Sequence, residues 1–155
     1  MRDRLSIEEY RDELLRLVAR ITDVETVSLD RADGRTLARP VTAATAVPVF
    51  ANSAMDGFAV HETDRYRGAE LSVVGTVAAG SPADPAMGPG ECVRIMTGAP
   101  LPSQADAVVP VELTEESGGI IRIVEEPGGK THVRAAGEDF SAGAEVLPAG
   151  LRLGP

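Results

Sequence analysis

The sequence contains no tryptophan, only 2 tyrosines and 3 phenylalanines among 155 residues, and a single cysteine, Cys92. One thiol excludes an intrachain disulfide, and that usage agrees with a reducing compartment. The shortage of aromatic rings means that a core has to be assembled from Ala, Val, Leu and Ile. Basic residues are also few: 15 Lys and Arg stand against 24 Asp and Glu, for a formal charge of −9. Nucleic acid is normally met by a basic face, and so is an anionic membrane surface, so both are disfavoured as partners. Apolar runs such as residues 107–111 are strand-sized, far short of the ~20 residues of a membrane helix. No signal-peptide pattern opens the chain, and the expectation is a soluble, cytoplasmic protein.

What is present is ordinary globular composition, 43% hydrophobic and 25% charged, with 16 glycines and 11 prolines. Glycine and proline exceed their average joint usage of about 12% and are spread between short apolar runs, which predicts many short strands joined by tight turns. The one strong helix signal lies at the start. Ser6 and Glu9 form a capping box, and Ile7, Tyr10, Leu14, Leu17, Val18 and Ile21 recur at spacings of three and four. Arg11, Asp12, Glu13, Arg16 and Arg20 fall mostly on the opposite face, so the apolar stripe is available to a core or a partner. Residues 26–29 read as a strand, and residues 31–39, around Gly34 and closed by Pro40, as a short helical turn. Residues 41–50 read as extended chain. Further β-like runs cover 58–60, 71–78, 92–96, 107–111, 120–124, 131–134 and 145–147. The segment 80–90, with Pro82, Pro85 and Pro89, reads as a surface loop, because proline cannot donate to a central ladder.

Four segments bear on chemistry. Gly128-Gly129-Lys130-Thr131 ends like a phosphate-binding loop but fails on spacing, since the required earlier glycine is Val124 and no long helix pattern follows. In Asn52-Ser53-Ala54-Met55-Asp56-Gly57 small and polar residues interrupt two hydrophobic runs. This is either a hairpin turn with side-chain oxygens bonded locally, or a loop that presents Asp56 as a metal ligand or acid-base group. In Arg94-Ile95-Met96-Thr97-Gly98-Ala99-Pro100, Thr97 either satisfies a turn amide or offers an oxygen where Gly98 permits close approach of a ligand. Arg134 precedes Gly137-Glu138-Asp139, either as an exposed ion-paired turn or as part of a site. Asp56, Thr97, Glu138 and Asp139 are hard oxygen donors of the kind Mg²⁺ accepts. His61 and His132 have no Cys or second His at metal-ligand spacing, and Cys92 sits in a strand pattern as a small hydrophobe.

As a set, Asn52-Ser53-Ala54-Met55-Asp56-Gly57-Phe58-Ala59-Val60, Arg94-Ile95-Met96-Thr97-Gly98-Ala99-Pro100 and Gly137-Glu138-Asp139 resemble the N-terminal region (domains I and II) of the MoeA-type molybdopterin molybdotransferases, the family that includes the gephyrin E domain. The resemblance runs from the opening helix to Ala149-Gly150. It implies an enzyme of molybdenum cofactor biosynthesis that uses Mg²⁺ to insert molybdenum from molybdate into adenylylated molybdopterin, as an elongated homodimer. It implies that Asp56 and Thr97 line the catalytic cleft with Asp139, that Ser53, Gly98 and Arg134 contribute to substrate binding, and that Asp56 and Asp139 are metal ligands. Ala135 and Ala136 depart from relatives that carry further arginines there. The fold class expected is α+β, an irregular, β-rich chain of two lobes with one N-terminal amphipathic helix. Residues 1–50 and 140–155 form a domain I-like lobe, and 51–139 a domain II-like insert. Nothing resembles the family's pterin-binding or C-terminal domains, so the chain is expected to be a fragment that is inactive alone. A different class of function, a non-catalytic dimerisation or scaffold module, also fits the apolar helix stripe.

Overall fold

The computed structural model describes residues 5–19 and 21–154. Arg20, assigned above to the polar helix face, lies outside them, as do residues 1–4 and 155 of the expected first lobe. Helix α1 spans Ile7–Leu17 and starts as its capping box predicts. The Glu9 amide donates to Ser6 Oγ at 3.1 Å, and the Ser6 amide donates to Glu9 Oε2 at 2.8 Å. Val18 is already extended, so the helix stops one turn short of Ile21. No residue of α1 is buried; Ile7 is 84% exposed and Leu17 82%.

The chain divides into two compact units, residues 1–39 with 149–155, and Pro40–Pro148. In the first, residues 34–37 run antiparallel to 150–153: the Leu37 amide donates to the Leu151 carbonyl at 2.9 Å and the Leu153 amide to the Arg35 carbonyl at 2.8 Å. The strand expected at 26–29 is not formed. A 3-10 turn, Leu29–Arg31, occupies its end, and the helical turn expected after it is replaced by this pairing. Local apolar character at Val27 and Leu29 lacked a neighbouring ladder to complete it.

The second unit is built on strands β1 (Val41–Thr42), β2 (Asn52–Ser53), β3 (Gly57–Val60), β4 (Glu70–Val77), β5 (Glu91–Ile95), β6 (Ala107–Pro110), β7 (Thr114–Ser117), β8 (Ile120–Ile123), β9 (Val133–Arg134) and β10 (Glu145–Leu147). Six of them form one sheet in the order β6-β3-β5-β4-β8-β7, and two small ladders pair β1 with β10 and β2 with β9. Every residue of β3 and β6 is buried, as the near-continuous apolar runs Phe58-Ala59-Val60 and Ala107-Val108-Val109 require. Alternation sends Phe58, Val60, Cys92, Ala107, Val109, Ile121 and Ile123 to one core, and Ala59, Val77, Val93, Ile95 and Val108 to the other. The first core joins β6 to β8, which the strand order separates by three strands, so the sheet curls. Arg94 lies over the Phe58 ring at 4.8 Å and pairs with Glu116 on β7. Each of the fully buried Phe, Ile and Val side chains contributes roughly 1.5–3 kcal/mol, so this shell of small residues compensates for the missing rings.

Two features went beyond the sequence signals. Strand β7, Thr-Glu-Glu-Ser, has no apolar alternation because it is an exposed edge held by its register with β8, Thr114↔Ile123 to Ser117↔Ile120. β4 and β5 are parallel, and such a connection needs a crossover of about a dozen residues. Residues 78–90 supply it. Their prolines keep them out of the sheet, but the segment is anchored instead of merely lying on the surface. Met87 is 3% exposed in the second core, its amide donates to Gln104 Oε1 at 2.9 Å, and Asp84 Oδ1 accepts the Ser103 amide at 2.8 Å.

Candidate functional site

Strand β2 is the pivot of the site. On one side the Ser53 amide donates to the Ala99 carbonyl at 3.0 Å and the Gly98 amide to the Ser53 carbonyl at 2.8 Å. On the other, Asn52 and Ser53 pair with Arg134 and Val133 of β9. Ser53 is 1% exposed, and its hydroxyl is engaged in its own turn, donating to the Met55 carbonyl at 2.5 Å and accepting the Met55 amide at 3.3 Å. That turn delivers Asp56 to the surface just before β3. Gly57 is obligatory there, because a Cβ would collide with the Val109 carbonyl of β6.

Asp56 Oδ1 accepts both the Thr97 amide and the Thr97 hydroxyl, each at 2.7 Å. The amide bond, followed by the hydroxyl bond, holds the Asp56 carboxyl below its ordinary range, so it is ionised at neutral pH. Gly98 follows with φ +78, and the space on its Cβ side is open within 4 Å. Across β2, one Arg134 nitrogen donates to Asp139 Oδ1 at 2.7 Å and Oδ2 at 2.6 Å. These bonds raise the Arg134 pKa further, so the guanidinium stays charged. Glu138 turns back onto the Ala135 amide at 3.0 Å. Asp139 is fixed through its amide, which donates to the Val47 carbonyl at 2.9 Å.

The sequence candidates thus form two groups flanking one strand: Asp56 with Thr97, Ser53 and Gly98, and Arg134 with Asp139. Among the described residues no hydrogen bond or ion pair joins Asp56 to Asp139, and no group of three His, Cys, Asp or Glu side chains is arranged to hold an ion alone. Mg²⁺ commonly takes only one or two carboxylates, with water and substrate phosphate completing its shell. Asp56 Oδ2, which has no hydrogen-bond partner among the described residues, fits that donor set. Both Asp139 oxygens face Arg134 instead. A cavity of about 620 Å³ lined by Glu70, Glu115, Glu116 and Arg122 lies elsewhere, and none of the site residues lines it. Sequence reasoning missed His132, whose carbonyl accepts the Ala54 amide at 2.9 Å and whose φ is +52. No pattern marked it, although histidine tolerates that conformation better than most residues.

A β-rich chain with one N-terminal helix, presenting an acid-hydroxyl pair and an Arg-acid pair on either side of one strand, defines a specific class. The family described as MoeA N-terminal region (domain I and II) matches residues 5–155, and the chain belongs to it. The chain is 36% identical over 152 residues to a molybdopterin molybdenumtransferase of Haemophilus influenzae, covering 97% of this chain and 38% of that protein. It is 38% identical over 135 residues to molybdopterin molybdenumtransferase 2 of Mycobacterium tuberculosis, covering 84% and 33%. The crystal structure of the molybdopterin biosynthesis MoeA protein from Pyrococcus horikoshii OT3 superposes with a TM-score of 0.85 at 31% identity, over 94% of this chain and 41% of that one. The chain therefore spans about two fifths or less of each relative. No helix among the described residues is long and apolar enough to cross a membrane.

Proposed function

We propose that this chain is the N-terminal part of a molybdopterin molybdenumtransferase, acting in molybdenum cofactor biosynthesis in the cytoplasm. Its residues 1–50 with 140–155 correspond to domain I and 51–139 to domain II. The reaction inserts molybdenum from molybdate into the dithiolene of adenylylated molybdopterin and hydrolyses the adenylate. The observation that carries this reading is the Asp56–Thr97 pair, an ionised carboxylate fixed through one oxygen with the other open. Asp56 would hold Mg²⁺, or a water, against the adenylate phosphate. Bound there, Mg²⁺ supplies charge that offsets the negative charge developing at phosphorus. Thr97 fixes the rotamer of Asp56, the open face of Gly98 admits the substrate, Ser53 shapes the turn, and Arg134, oriented by Asp139, offers its charge to an anionic group. The remaining binding groups belong to the pterin-binding domain of a partner subunit in a homodimer, so the isolated chain is inactive.

The test is turnover: the protein carrying this chain, given adenylylated molybdopterin, molybdate and Mg²⁺, releases AMP and yields molybdenum-loaded pterin. No release above background contradicts the reading, and clear activity of residues 1–155 alone contradicts the shared cleft. A second reading, a non-catalytic dimerisation or scaffold module, is favoured by the α1 stripe, where Ile7, Tyr10, Leu14 and Leu17 are all at least 45% exposed. A strictly monomeric chain at high concentration, measured by sedimentation, counts against it.

A further inference from the structure

We propose that His132 is a positioning residue, whose left-handed backbone sets the two halves of the site against each other. The inference rests on the function proposed above. At Thr131 the chain is tied to β6, through the Val108 amide donating to the Thr131 carbonyl at 2.8 Å. One residue later the His132 carbonyl accepts the Ala54 amide at 2.9 Å, and Val133 and Arg134 then pair with Ser53 and Asn52 of β2. The chain therefore changes partner strand within a single residue. His132 is the residue at which the partner changes, and its φ of +52 takes the chain out of extended conformation just before β9. His132 is the one described non-glycine residue with positive φ, and it sits where the error would be transmitted to both groups. Behind it the loop is clamped by Arg65, whose guanidinium side chain is 8% exposed and donates to the Gly128 carbonyl at 2.6 Å while also binding Glu62. With the loop held upstream by Arg65 at Gly128 and Lys130, and β9 held downstream by β2, His132 lies in a short span between two fixed points. Its carbonyl holds the turn that carries Asp56, and its next neighbours carry Arg134 toward Asp139. The requirement is on the backbone and not on the imidazole, so residues that accept the left-handed region satisfy it and β-branched residues do not.

The test compares His132→Gly, His132→Asn and His132→Val in the protein carrying this chain, with His132→Ala as the milder variant should valine prevent folding. Two readouts are taken: kcat for molybdenum insertion, and amide hydrogen exchange at Ala54 against core amides of β4 and β8. The valine variant is expected to speed Ala54 exchange at least tenfold with the core amides unchanged, and to lower kcat by about tenfold to a hundredfold, the scale of a small misplacement of a reacting group. Glycine and asparagine are expected to restore both. The proposal is overturned if valine matches glycine in exchange and kcat, or if glycine is as damaged as valine, which would place the role in the imidazole. Exchange at Ala54 decides the positioning claim without turnover, and absence of turnover in the unmodified protein as well would count against the proposed function alone.

Discussion

Replacing Gly57 by alanine probes the junction between fold and site. The added Cβ would overlap the Val109 carbonyl and lie 3.0 Å from Pro110 Cα, and both are backbone atoms that no rotamer change can move. β3 and β6 pair here as Gly57↔Pro110 and Phe58↔Val109, so relief requires the two strands to separate at this end of their ladder. Overpacking of this kind costs about 1–3 kcal/mol, and with the backbone as the obstacle the upper half of that range, about 2–3 kcal/mol, is expected. For a domain of about 100 residues this lowers the melting midpoint by about 8–15 °C. Gly129→Ala is the control: its Cβ meets nothing within 4 Å and its φ lies outside the left-handed region, so its effect should stay within about 0.5 kcal/mol. Urea or thermal unfolding of both variants, followed by circular dichroism, gives the comparison. The Val111 amide donates to the Asp56 carbonyl at 3.0 Å, so a strand shift at Gly57 also moves the Asp56 turn. Equal midpoints for the two variants would refute the claim that β3 and β6 lock the turn by backbone contact.

Thr97→Val removes the hydroxyl bond to Asp56 and keeps the amide bond, the larger of the two causes, so the Asp56 pKa should rise only part of the way to its ordinary 3.8 in a carbonyl ¹³C titration; an unmoved pKa contradicts the pairing. Because folded Asp56 binds its proton less tightly than the unfolded chain does, its contribution to stability is present above pH ~4 and is lost as pH falls through the lowered folded value. Acid unfolding of Asp56→Asn should accordingly lack that part of the pH dependence. Cys92 is fully buried and desolvation pushes its thiol up to about 12, so it should resist a thiol reagent at pH 8 until denaturant is added; rapid labelling of the native chain refutes the burial. Phe58→Ala should cost about 3–5 kcal/mol in chemical denaturation, since Phe58 is fully buried beneath Arg94 in the first core; a loss below 1 kcal/mol is the contrary result.

Much of this architecture is legible in the residues. The capping box of α1 and the buried runs of β3, β5, β6 and β8 rest on local hydrogen bonding and on short apolar runs, and both are encoded within a few positions. What was not legible depends on partners distant in sequence. β7 is a strand only because β8 lies beside it, and residues 26–29 are not one because no ladder reaches them. Met87 is a core residue only because the parallel crossover folds over the second core. At the site, residue type marked Asp56, Thr97, Glu138 and Asp139 as candidate oxygen donors and the family resemblance added Arg134, but which of them bond to one another follows from the position of β2 between the Thr97 turn and β9. His132 carries no side-chain signature at all, since its contribution is a backbone angle.

The central claim is that Asp56, fixed by Thr97, takes part in molybdenum insertion. It is tested most directly by Asp56→Asn in the protein carrying this chain, with kcat for molybdenum insertion measured at saturating Mg²⁺ and molybdate. The neutral amide keeps the shape and can still accept from Thr97, so the fold is retained while the charge is lost. A fall in kcat of at least about 100-fold, with an unchanged unfolding midpoint at neutral pH to within a few degrees, is the predicted result. Turnover equal to that of the unmodified protein would contradict the account and leave the Asp56–Thr97 pair as a structural turn.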